Sequence, residues 1–112
     1  MDVAVTARRP NPLGRRIRSL TVSKVNRLER LASRIDRAEV VFASEPNPRI
    51  ADHEVCEVHL RGAGRSAFVA KASGPDMLTA LERAIHKLER QLRRAKGRTI
   101  TRHRAPRGML VG

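Results

Sequence analysis

Three runs of strand length stand in a row in this chain: "RAEVVFAS" (37–44), "HEVCEVHLR" (53–61) and "RSAFVAKAS" (65–73), each rich in Val or Ala and bounded by turn residues. Alternation places Ala38, Val40 and Phe42, then Cys56, Val58 and Leu60, on one side, the side expected to face a core. "GAG" (62–64) joins the last two runs as a tight hairpin, and "EPNPRIAD" joins the first two as a longer loop. A fourth short strand is expected at 2–6, where Val3 and Val5 alternate.

Two segments of helical period flank the three runs. In the first, Asn11 reads as an N-cap with Pro12 at the first helical position. Leu13, Ile17, Leu20, Leu28 and Leu31 then keep helical spacing to about residue 33, and Lys24 falls on the same stripe. The second opens at "SGPD", with Ser73 as N-cap and Asp76 returning a hydrogen bond. Its stripe is Met77, Leu81, Ala84, Leu88, Leu92 and Ala95, and Gly97 is the expected stop. With 112 residues the chain holds one domain. The expected fold is α+β in the order β-α-β-β-β-α: a four-stranded sheet with two helices packed on one face, because each helix has a single apolar stripe to bury. Residues 1–97 form this domain, and 98–112 form a basic flexible tail or linker.

Charge narrows the function. The formal net charge is +13, from 24 Lys and Arg against 11 Asp and Glu, and this calls for a polyanionic partner. An anionic membrane is a poor candidate, since Trp and Tyr are absent and only Phe42 and Phe68 are aromatic. The same scarcity argues against stacking of splayed single strands and for phosphate and shape recognition of structured RNA. The charge is unevenly placed. Residues 80–98 hold seven Lys and Arg and two carboxylates, whereas residues 38–76 hold four basic and six acidic residues. On the last helix Arg83, Lys87, Arg90 and Arg94 fall within about 60° of one another, with Glu82 and Glu89 on the opposite flank. The helical layer is therefore the expected contact face.

Other chemistry is set aside on spacing. His53, Cys56 and His59 would share a face on a helix, but on a strand Cys56 points away from the two His, so no metal site is expected. "GAG" lies between strands and is too short for a phosphate loop. The only clustered carboxylates are in "DHE" (52–54), and no nucleophile motif is present. The expectation is a protein with no catalytic activity, cofactor or small-molecule substrate. The lone Cys56 and the lack of an apolar run near ~18 residues fit a cytosolic chain.

In order and spacing, "VNRLERL", "NPRIADHEVCEVHL" and "ASGPDMLTALERAIHKLERQLRRAKGR" resemble the ribosome hibernation-promoting factors, the protein Y-like ribosome-associated inhibitors, over residues 2–98. The resemblance implies a fold similar to a double-stranded RNA-binding domain. It implies binding to the small ribosomal subunit and its rRNA within the 70S ribosome, in the decoding channel, where occupancy blocks mRNA and tRNA at the A and P sites during stationary phase or stress. By position it marks Lys24, Arg27, Lys87, Arg90, Arg93, Arg94, Lys96 and Arg98 as RNA-binding, and the charge pattern adds Arg83. The chain departs from the family at Leu78, where many members carry an aromatic residue, and at "TARRPNP", which replaces a Gly-Arg-Asn turn. Long members add a C-terminal domain that pairs ribosomes; lacking one, this chain is expected to act as a monomer on single ribosomes. The alternative function is a constitutive small basic ribosomal protein or structured-RNA-binding protein.

Overall fold

In a computed structural model, the structure describes residues 1–9, 12–31, 35–45, 47, 49, 51–62 and 65–104, and for 65–67 and 96–104 the backbone only. The strands are β1 (Asp2–Arg8), β2 (Arg37–Ser44), β3 (Glu54–Gly62) and β4 (Arg65–Gly74). The helices are α1 (Arg15–Asn26), continued by a 3-10 turn over Arg27–Leu31, and α2 (Met77–Arg104). The sheet order is β1-β2-β3-β4, with β1 parallel to β2 and the other neighbours antiparallel. This is the expected β-α-β-β-β-α arrangement. Register follows from the alternation: Val40 lies opposite Val58, Phe42 opposite Cys56, and Val58 opposite Ala70, so every core position falls on one face. Gly62 pairs with Arg65, as a two-residue hairpin loop requires.

Ala38, Val40, Phe42, Cys56, Val58 and Leu60 are fully buried. Against them α2 places Ala80, Leu81, Ala84, Leu88 and Leu92, and the first helical segment places Thr21, Val25 and Leu28. The opposite sheet face, with Glu39, Glu57, His59 and Lys71, remains open.

Three expected helix boundaries move. Asn11 lies outside the described residues; Pro12 is not helical, and α1 begins at Arg15 after an extended Gly14. Leu13 is buried before the helix begins, so its apolar side chain mimics a first helical turn. The buried stripe of α1 also sits one residue away from the expected Leu20 and Lys24. Thr21 is fully buried because its hydroxyl donates to the Ile17 carbonyl at 2.7 Å, which hides a polar side chain in an apolar row.

At the other helix, Ser73 belongs to β4, and Asp76 is the cap. Its Oδ1 accepts from the Thr79 backbone N–H at 2.8 Å and its Oδ2 from the Thr79 hydroxyl at 3.1 Å. These bonds hold the Asp76 carboxyl below its ordinary value of 3.8. Its folded value is thus depressed, so the cap stabilises fully above the unfolded value and is lost as pH falls through the lower folded one. Melting curves of wild type and Asp76→Ala should therefore differ at neutral pH and converge as the pH drops below about 4. The third moved boundary is the stop: α2 runs through Gly97 to Arg104. A lone Gly costs a helix about 1 kcal/mol without ending it, and good helix formers flank this one.

Gly74 explains the tight passage from β4 into α2. A Cβ there would lie 2.9 Å from the Ala80 backbone nitrogen and 3.1 Å from Thr79 Cβ. Backbone cannot yield as a flexible side chain does, so Gly74→Ala should cost about 1–3 kcal/mol in a denaturant titration.

Candidate nucleic-acid interface

α2 lies along β4, and three polar side chains one helical turn apart fasten it there. Arg83 Nη1 donates to the Ser73 carbonyl at 2.8 Å, Lys87 Nζ to the Lys71 carbonyl at 2.8 Å, and Gln91 Nε2 to the Val69 carbonyl at 2.9 Å. Four helical residues rise about 6.0 Å and two strand residues about 6.6 Å, so positions i, i+4 and i+8 match alternate strand residues. β4 is an edge strand, and these donors occupy carbonyls that would otherwise be open to a further strand. Two members of the expected cationic row, Arg83 and Lys87, are thus already engaged within the fold. Arg83 is paired, with Asp52 Oδ2 at 3.1 Å as well as with Ser73. The missed signal was the Arg-Lys-Gln spacing in step with the alternation of β4.

Arg90, Arg93 and Arg94 are exposed, and none forms a hydrogen bond or ion pair with another described residue. Lys96 and Arg98 continue on helical backbone, but their side chains lie outside the described residues. Arg83, Lys87 and Arg90 share an open cleft of about 490 Å³ with Asp52, Glu82 and His86.

Lys24 and Arg27 do not join this cleft. They line a separate groove of about 270 Å³ between the helices, opposite Glu82, Ile85, His86 and Glu89. Lys24 Nζ lies 3.9 Å from Glu82 Oε2. The acidic edge of α2 thus faces Lys24 of α1 and Arg27 of the 3-10 turn that follows it, and the expected site divides into two cationic groups with carboxylates between them.

The residues weighed for catalysis or metal binding disperse. Cys56 is fully buried, and burial, then the charge of Glu57, pushes its thiol up to about 12, which removes it as a nucleophile. His59 lies on the open sheet face, where it bonds Glu57 at 3.0 Å. In "DHE", Asp52 turns toward α2 while Glu54 is buried, bound by Arg9 Nη2 at 3.0 Å and by the Ser44 hydroxyl at 3.1 Å. The two carboxylates do not act as a pair. Among the described residues no three His, Cys, Asp or Glu side chains cluster as a metal site, and no helix is long and apolar enough to cross a membrane.

The sequence profile of the sigma 54 modulation protein / S30EA ribosomal protein family matches residues 5–100. The chain belongs to this family. Two solved structures share the fold of this S30EA-family chain. One is a ribosomal subunit interface protein from Coxiella burnetii, 22% identical, with a TM-score of 0.70 over 87% of this chain and 99% of that one. The other is the Protein Y N-terminal domain of Thermus thermophilus, 23% identical, with a TM-score of 0.66 over 84% of this chain and 98% of that one. No curated protein matches the sequence of this chain.

Proposed function

We propose that this S30EA-family chain is a ribosome-binding translation inhibitor that occupies the decoding channel of the small subunit and excludes mRNA and tRNA from the A and P sites, without turnover. The observation that carries the reading is the ridge of Arg90, Arg93 and Arg94, none of which forms an ion pair with a carboxylate among the described residues and whose helix continues through Lys96, Arg98, Arg102 and Arg104. On the open sheet face, by contrast, carboxylates stand beside basic side chains: Arg61 Nε lies 2.7 Å from Glu39 Oε1, and Glu57 lies opposite Lys71 in the sheet. A rigid cationic helix edge with no aromatic platform suits the phosphates of folded RNA. Membership in a family described as ribosomal supports rRNA as that RNA.

In this assignment Arg90, Arg93 and Arg94 make the primary phosphate contacts, and Lys96 and Arg98 extend them. Arg83 and Lys87 contribute donors left over from β4, and Lys24 and Arg27 form a second contact from α1 and its 3-10 continuation. The protein acts by steric exclusion during stationary phase or stress, in the cytoplasm, where ribosomes are. Its abundance on ribosomes should rise as growth stops; equal stoichiometry on ribosomes of growing cells would instead mark a constitutive ribosomal protein. Purified chain mixed with small and large subunits should co-sediment with the small subunit and leave it as salt rises. Exclusive sedimentation with the large subunit would overturn the assignment.

A further inference from the structure

Asp52 is an acidic side chain set among cations. It comes from the loop between β2 and β3, and its Oδ2 lies 3.1 Å from Arg83 Nη1. It lines both the cleft of about 490 Å³, with Arg83, Lys87 and Arg90, and an adjoining one of about 350 Å³, with Lys71 and Lys87. Glu82 and Glu45 also line these clefts, but Asp52 is the carboxylate common to both and the one that pairs with Arg83, where the basic row of α2 begins.

A carboxylate and a phosphodiester present the same thing to a guanidinium: a singly charged group with two oxygens able to accept its N–H donors. Asp52 therefore occupies the position on Arg83 that an RNA phosphate would take. The pair is about half exposed, 46% at Asp52 and 51% at Arg83, so solvent screens it and a phosphate can replace the carboxylate. Arg83 keeps its bond to the Ser73 carbonyl, which holds the guanidinium beside the cleft whichever anion it carries.

Resting on the RNA-binding reading above, we propose that Asp52 is an internal phosphate surrogate that limits the affinity of the interface. In the free protein it holds Arg83 at the cleft. When the ribosomal RNA backbone arrives, a phosphate takes Arg83, and the displaced carboxylate remains beside it as an opposing charge. The Arg90, Arg93 and Arg94 ridge needs no such exchange, so the two halves of the row differ in strength of grip.

The test is a salt series of binding isotherms on isolated small ribosomal subunits. Asp52→Asn should bind about two- to fivefold tighter than wild type. The slope of log affinity against log salt should steepen by up to about 0.9. In an Arg83→Gln background the same substitution should give no gain. Glu39→Gln removes an equal charge from the open sheet face and should leave affinity unchanged. Unchanged or weaker binding by a normally melting Asp52→Asn protein overturns the proposal. So does a gain that persists without Arg83, or an equal gain from Glu39→Gln. Should Asp52→Asn melt abnormally, Asp52→Ser provides the same comparison. Wild type failing to bind small subunits at all would sink the functional reading; wild type binding with Asp52→Asn unchanged would sink this inference alone.

Discussion

Replacing Arg90, Arg93 and Arg94 together by Ala weakens binding to the small ribosomal subunit by on the order of 10²–10³-fold, taking about 1 to 1.5 kcal/mol for each charge-assisted contact. The salt slope falls at the same time by about 2 to 3, or about 0.7 to 0.9 for each phosphate no longer neutralised. Fold and stability survive, because the three side chains are exposed and bond no other described residue. Ala is also the best helix former, so α2 keeps its propensity. Binding isotherms at four salt concentrations, with a melting curve beside them, check both halves. Unchanged affinity in a folded variant would move the interface away from this ridge. Lys87→Ala alone is a less clean experiment, since it also removes the donor to the Lys71 carbonyl at the sheet edge.

Leu88→Ala has the opposite signature. Leu88 is fully buried in the stripe that α2 turns toward the sheet. Truncation removes buried surface and leaves a cavity, at a cost of about 2–5 kcal/mol. For a domain near 100 residues this lowers Tm by at least ~10 °C. Such a loss is a large share of the ~5–15 kcal/mol that holds a domain together. Because the substitution leaves the cationic ridge in place, protein still folded at low temperature should bind ribosomes as wild type does. A Tm indistinguishable from wild type would contradict the burial of this face.

Much of the fold was legible because strands declare themselves by alternation. The Arg37–Ser44 strand and the six core residues of β2 and β3 follow directly from a period of two. Helix ends were harder to read. Leu13 looked helical because it is apolar and in phase, yet it is buried from the non-helical stretch that ends at the extended Gly14. Thr21 is absent from the expected apolar stripe, yet it is fully buried with its hydroxyl donating to the Ile17 carbonyl. The candidate site shows the same limit. A charge pattern reveals which residues share a helix edge, so the cations of α2 were visible. It does not reveal what a neighbouring strand or loop brings to that edge. The β4 carbonyls that engage Arg83, Lys87 and Gln91, and the Asp52 that meets Arg83, come from residues distant in sequence. Lys24 and Arg27 were visible too, but their separation from the α2 ridge by Glu82 and Glu89 depends on how the helices pack.

The most direct test of the central claim is competition on isolated ribosomes at physiological salt. Small subunits carrying labelled mRNA and initiator tRNA are titrated with the protein, and the label retained is measured. The account predicts that both are displaced at stoichiometric protein and that the Arg90, Arg93 and Arg94 triple variant needs far higher concentrations. Tight binding with mRNA and tRNA still in place would contradict it, leaving a ribosome-bound protein of the S30EA fold that does not occupy the decoding channel.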